Sequence, residues 1–340
     1  MIEIYLTIFF ISVLLIFLGS GVWVGISMIG VSTIGMMMFT SRPVGDAMAT
    51  TMWSMGSSWS LTALPLFVWM GEILFRTKLS ENLFKGLSPW LSKLPGGLIH
   101  VNILGCAIFA AISGSSAATV ATVGKMSIPE LRKRNYPERF LLGTLAGSGT
   151  LGLLIPPSII LIIYGVTVEE SIAKLFIAGI IPGIGLAILF MLYVVGWSIK
   201  NKKIMPVISE DFSFFQKIKQ SGQLLPVVLL IFAVIGSIYA GIATATEAAS
   251  LGVLGALVLS YFQKSLNKES FRKSLLGATK TSCMIAFILA GSSFLTLAMA
   301  FTGLPKNLAV FIDTLQLSPY MLLLVLTLFY IILGMFLDGI

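Results

Sequence analysis

Long apolar runs alternate along the chain with short polar stretches, and the polar stretches are mostly basic. Runs near 2–18, 22–40 and 60–75 approach the roughly 20 apolar residues that a helix needs to cross a hydrocarbon core. The segment 41–59 between the last two is Gly/Ser-rich with little charge. Further runs at 140–165, 175–199, 222–241, 247–263, 275–301 and 318–337 predict more spans. The stretch 79–94 is different. Leu83, Phe84, Leu87, Trp90 and Leu91 recur at helical spacing among polar residues, which predicts an amphipathic helix lying at the membrane interface. Phe212, Phe214 and Phe215 beside Lys217 and Lys219 predict a second one.

The position of the charges gives the topology. Residues 76–93, 125–139, 200–219 and 264–273 each carry a net +3, together +12 against +8 for the whole chain, so everything else sums to −4. Each stretch abuts an apolar run. The positive-inside rule therefore places all four in the cytoplasm, where a nucleic-acid patch would not need such neighbours. Counting spans back from them predicts an N-terminus outside the cytoplasm. Residues 98–124 then have to leave and re-enter on one side. About 27 residues are too few for two spans. The middle reads Ser113-Gly114-Ser115-Ser116-Ala117-Ala118-Thr119, small and polar where lipid favours leucine. A re-entrant hairpin satisfies both facts, because irregular backbone at membrane depth is tolerated only inside protein or beside a cavity.

The next span contains Gly147-Ser148-Gly149-Thr150-Leu151-Gly152 and then Pro156-Pro157, which predicts a helix unwound over 149–157. Its outer loop carries Glu169 and Glu170. The last run includes Gly334 and ends in Asp338-Gly339-Ile340. A charge at the bilayer centre costs at least about 2.5–3.5 kcal/mol, so the sequence is expected to be truncated. The run 318–338 is also expected to be the first arm of a second hairpin, making the two halves an inverted repeat of the kind that builds secondary transporters.

Composition closes off other classes. The chain is 57% hydrophobic and 11% charged, against roughly 25% charged in soluble domains. Long apolar runs, not short alternating ones, exclude a barrel. One histidine, His100, excludes an H-E-x-x-H metal site, and Gly114-Ser115-Ser116 is no nucleophile elbow. Along one helical arm, His100 would stand more than about 20 Å from Ser115 or Ser116, too far for a Ser–His pair. There is no Walker A motif. The chain is therefore not expected to be an enzyme. Cys106 and Cys283 fall in apolar segments and are expected to be free thiols. Glu247 follows Thr244 by three residues, the spacing of a capping box. Glu72, near a helix end, reads as interfacial.

Two broken elements remain, the hairpin tip 113–119 and the unwound segment 149–157. Helix N-termini attract anions such as a carboxylate, and unwound carbonyls attract a hard cation such as Na⁺. Hydroxyls at Ser113, Ser115, Ser116, Thr119 and Thr150 can serve either. The competing reading is that small residues simply let helices pack closely.

Five segments in this order resemble one family: Ala110 to Thr119 (AAISGSSAAT), Ile128 to Arg134 (IPELRKR), Gly149 to Ser158 (GTLGLLIPPS), Lys174 to Gly183 (KLFIAGIIPG) and Gly241 to Ala249 (GIATATEAA). It is the large membrane subunit of the TRAP (tripartite ATP-independent periplasmic) transporters, the DctM-like permeases. The fit runs across the chain; Ala245 departs from it, where the family usually has proline. The resemblance implies an all-α polytopic inner-membrane protein, which would make the N-terminus periplasmic. Its fold would be the elevator-type ion-transporter fold, with inverted repeats, re-entrant hairpins and broken helices, here lacking the C-terminal part of the second repeat. It implies Na⁺-coupled uptake of an organic acid anion. A small four-helix membrane subunit and a periplasmic substrate-binding protein would be the partners, and no nucleic acid. The first Na⁺ site carries onto Ser113 and Ser116 with the carbonyls of Gly152, Ile155 and Pro157. Ser115, Thr119, Thr150 and Pro156 are the candidate substrate contacts, and Asp338 and Gly339 fall in a second site. The expected divisions are scaffold 1–97, first transport half 98–174, scaffold and cytoplasmic arms 175–274, and the start of the second transport half 275–340. The alternatives are a stand-alone Na⁺/carboxylate symporter and a channel, which would need a continuous polar pore.

Overall fold

The computed structural model describes residues 2–76, 79–206, 213–222 and 224–336, and they are helical throughout, with no strand among them. The chain runs through α1 (Ile2–Gly19), α2 (Val24–Phe39), α3 (Val44–Gly56), a 3₁₀ turn at Trp59–Thr62, α4 (Ala63–Phe75) and α5 (Leu79–Leu91). It continues through α6 (Ile99–Ser113), α7 (Ser116–Lys133), α8 (Glu138–Gly149), α9 (Leu151–Leu154), α10 (Ile159–Thr167) and α11 (Ile172–Lys200). The remainder is α12 (Phe214–Ser221), α13 (Leu225–Tyr239), α14 (Ala245–Phe262), α15 (Lys268–Phe301), α16 (Leu304–Thr314) and α17 (Pro319–Phe336).

Four helical segments are long and apolar enough to cross a membrane, and six if each of two bent pairs counts as one span. Their outer faces carry large apolar side chains, with Ile181 81% and Phe232 71% exposed. Water would penalise such faces and lipid does not. With the hydrophobic composition, they make this a polytopic membrane protein.

Most predicted spans appear within a few residues of their expected ends. Two helices were not marked by the hydrophobic pattern. Residues 41–59 contain α3, which starts after Pro43 with Asp46 in its first turn, a favourable place for an acid near the positive end of a helix. Residues 302–317 contain α16, which Gly303 introduces in a left-handed conformation. The interfacial stretch is helical over α5 despite Pro89. Of the second, Phe212 lies outside the described residues, while Phe214 and Phe215 open α12 behind a capping box of Ser213 and Gln216.

The chain divides into two compact units, residues 1–58 with 283–340, and residues 59–282. In the first, α2 meets the C-terminal part of α15 at a pair of glycines; a Cβ on Gly291 would lie 2.8 Å from the Gly25 carbonyl oxygen. Met36, Phe294 and Ala298 are buried beside that contact. In the second, the core gathers around the hairpin, with Leu98, Ile103, Leu131, Leu141, Leu151 and Val194 buried together. Phe140 of α8 stacks on Trp197 of α11 at 3.8 Å between ring centroids. Helix α14 lies on α4 where Gly252 makes room for Met70.

Candidate functional site

The hairpin forms as the charge pattern requires. Helix α6 ends at Gly114, whose φ of 60° is the left-handed conformation that glycine adopts at little cost. Only Ser115 separates it from α7. Ser115 is the N-cap, its hydroxyl accepting from the Ala118 N–H at 3.4 Å. Thr119 is fully buried; its Oγ1 donates to the Ser115 carbonyl at 2.7 Å and lies 3.0 Å from the Ser113 hydroxyl. Ser113 and Thr119 thus staple the tip. Ser116 opens α7, and its hydroxyl makes no hydrogen bond among the described residues. At the hairpin base, the buried Leu98 N–H donates to the Tyr136 hydroxyl at 3.0 Å, and burial pushes the Tyr136 phenol above its ordinary pKa.

The break is narrower than expected. The Gly147-Ser148-Gly149 run stays helical through α8, and unwinding is confined to residues 155–158, between α9 and α10. The prolines account for it. Neither Pro156 nor Pro157 has an N–H to donate, so the carbonyls of Gly152 and Leu153 lose their helical partners. The Ser158 hydroxyl replaces one, donating to Leu153 at 2.7 Å, and Ser158 also caps α10. Among the described residues no such replacement reaches Gly152. The Pro156–Pro157 peptide bond is cis. Gly149 is a contact glycine, since a Cβ there would fall 1.9 Å from the Val120 methyl.

The structure brings the two elements into direct contact. The Ile159 N–H, at the start of α10, donates to the Gly114 carbonyl at 3.2 Å. A Cβ on Gly114 would lie 2.8 Å from the Pro157 carbonyl oxygen, and one on Gly152 would lie 2.9 Å from the carbonyl oxygen of Ser115 and from the amide nitrogen of Ser116. Ser113, Ser115, Ser116, Thr119, Gly152, Ile155, Pro156 and Pro157 therefore share one locality, where two helix N-termini and two helix C-termini converge. Thr150 is exposed at the end of α8, its hydroxyl donating to Gly147 at 2.7 Å. Asp338 and Gly339 lie outside the described residues, and Gly334 is exposed on α17.

Beside the tip is a cavity of about 240 Å³, lined by Ser113, Ser115, Ala118, Ile159, Glu72 and Thr281 among others. By sequence Glu72 reads as interfacial, and Thr281 is not marked. The one available signal was that Glu72 is the only acid in the apolar run 60–75. Glu247 is where its spacing put it, with both the Thr244 N–H and hydroxyl donating to its carboxylate at 2.8 Å. His100 is buried and engages the Pro95 carbonyl at 2.9 Å, a packing role. Cys106 and Cys283 are free. No group of three or more metal-ligating side chains occurs among the described residues.

Residues 11–340 match the family model described as "Tripartite ATP-independent periplasmic transporter, DctM component". The chain belongs to that family. Among curated relatives it is similar to the C4-dicarboxylate TRAP transporter large permease protein DctM of Pseudomonas aeruginosa, 32% identical over 295 residues, covering 86% of this chain and 68% of that one. It is also 31% identical over 326 residues to the sialic acid TRAP transporter large permease protein SiaM of Vibrio cholerae, covering 94% of this chain and 74% of that one. The 2,3-diketo-L-gulonate TRAP transporter large permease protein YiaN of Escherichia coli is 32% identical over 298 residues, covering 86% of this chain and 68% of that one. The chain is thus a TRAP large permease, a multi-pass membrane protein of a transport family.

Proposed function

We propose that this permease imports an organic acid anion across the bacterial inner membrane, coupled to Na⁺, by an elevator movement of the hairpin and broken helix. The carrying observation is the contact between the two broken elements. It gathers hydroxyls, helix N-termini and a carbonyl freed by proline around one point without a carboxylate ligand. Such a set suits a weak, reversible Na⁺ site and an adjacent carboxylate. Ser113 and Ser116, with the carbonyls of Gly152, Ile155 and Pro157, hold Na⁺. Ser115 and Thr150 face the substrate, the buried Thr119 and Pro156 support the substrate contacts from behind, and Asp338 with Gly339 contributes to a second site. The relatives named for C4-dicarboxylate, sialic acid and 2,3-diketo-L-gulonate support the organic acid class. A small four-helix membrane subunit and a periplasmic binding protein complete the transporter. The four basic stretches lie in the cytoplasm and the N-terminus in the periplasm. The first transport half is 98–174 and the second begins at 275, with scaffold between and before them.

The test is uptake into proteoliposomes carrying the permease and small subunit, with the binding protein and a labelled organic acid outside. Uptake should need both the binding protein and an inward Na⁺ gradient. Uptake without the binding protein would favour a stand-alone symporter, and uptake without Na⁺ would refute the coupling.

A further inference from the structure

Among the described residues, the cavity beside the hairpin tip has one ionisable side chain on its wall, Glu72. Three features put it there. Gly71, one residue earlier, faces the tip directly; a Cβ on it would lie 3.1 Å from the Ser113 Cα and 3.2 Å from the Ile112 carbonyl oxygen. The next residue of α4 is thereby delivered to the side of the tip. Gly277 of α15 leaves room for the carboxylate, since a Cβ on it would lie 2.7 Å from Glu72 Oε2. Arg76, one turn on, donates to the same oxygen at 2.9 Å, while its Nε is buried with no partner among the described residues. The hydroxyl-bearing residues Ser113, Ser115 and Thr281 line the same space.

An ionisable group inside an apolar span is expensive to keep, and structural pairing alone does not require it to face a cavity shared with an ion site. We propose that Glu72 sets the cation affinity of the hairpin-tip cavity, with Arg76 holding its carboxylate in place and partly offsetting its charge. This rests on the Na⁺ reading above and deepens it. A space of this volume is about 8 Å across, near enough for one charge to act on an ion at the tip. Glu72 pulls the cation in, and Arg76 moderates the pull.

The two charges then have opposite effects, which a mere helix-surface pair would not show. The purified permease in detergent is titrated with NaCl against choline chloride, and the half-saturating Na⁺ concentration is read from the rise in unfolding temperature. Glu72→Gln should raise that concentration at least about fivefold, because it removes the carboxylate and leaves Arg76 uncompensated. Arg76→Gln should lower it, and Glu72→Asp should stay within about twofold of the parent. The unfolding temperature without Na⁺ shows separately whether each variant is folded, and a variant that does not fold is replaced by another neutral one, Glu72→Ala or Arg76→Met. Glu72→Gln within twofold of the parent, or both neutralisations moving the titration the same way, would overturn the role of Glu72 alone. No Na⁺-specific stabilisation of the parent protein would overturn the Na⁺ reading, and this proposal with it.

Discussion

Gly152→Ala is the sharpest probe of the contact between hairpin and break. The new methyl would sit 2.9 Å from the Ser115 carbonyl carbon and oxygen and from the Ser116 nitrogen. Ordinary contact begins near 3.4 Å, so the tip and the break must separate by about half an ångström. The obstacle is backbone, which cannot rotate away as a side chain would. Overpacking of this kind costs about 1–3 kcal/mol. Alanine also gains roughly 1 kcal/mol of helix propensity over glycine, which would mask part of that cost. Gly143→Ala on α8 supplies the correction, since a Cβ there meets nothing within 4 Å. Both substitutions gain comparable propensity, so the difference between them isolates the strain, at about 1–3 kcal/mol. If relief comes by opening the contact, the Na⁺ ligands on either side part, and affinity falls by as much as about a hundredfold at 1.4 kcal/mol per decade. Both proteins would be followed by thermal unfolding in detergent, with and without NaCl. Equal unfolding temperatures and equal Na⁺ titrations would refute the argument that Gly152 is required for this contact.

Two further outcomes follow from named contacts. Ser116→Ala should weaken Na⁺ stabilisation with little change in the Na⁺-free unfolding temperature, whereas Glu247→Ala, which removes the carboxylate half of the capping box at α14, should lower that temperature and leave the Na⁺ titration alone; the reverse pattern in paired titrations would exchange their roles. Tyr136→Phe strands the buried Leu98 N–H and should destabilise by about 1–3 kcal/mol at neutral pH. Because burial raises the Tyr136 pKa, its contribution is complete below the unfolded value of about 10 and is lost as pH climbs beyond it. The stability gap between parent and Tyr136→Phe should therefore narrow in thermal unfolding above about pH 10.

The hairpin was legible because a charge rule applied to about 27 residues leaves no other path. The break was legible because two adjacent prolines cannot both sit inside a helix. Its extent was not. Glycine looks like a helix breaker in sequence, yet Gly147 and Gly149 remain helical, and Gly149 is there to admit Val120. Sequence counts the freedom a glycine adds and cannot see the neighbour that needs its missing side chain. The place of Glu72 on the cavity wall was missed for a related reason. Its position along α4 fits an interfacial acid, but which way a residue faces depends on helices far away in the chain, here α6 and α15. Thr281 carried no local signal at all. The capping box of Glu247, by contrast, is local chemistry, and spacing alone was enough.

The glycine contacts around the hairpin are of two kinds, and the difference bears on how the half-site can move. Against α8 the surfaces interlock, the Val120 methyl occupying the space left at Gly149. At Gly71 of α4 the nearest hairpin atoms are backbone, from Ile112 and Ser113. Interlocked surfaces shift only by withdrawing a side chain from a packed pocket, which is slow and costly. A smooth surface offers no such catch. With teeth against α8 and bare backbone at Gly71, the hairpin would part more readily from α4 than from α8.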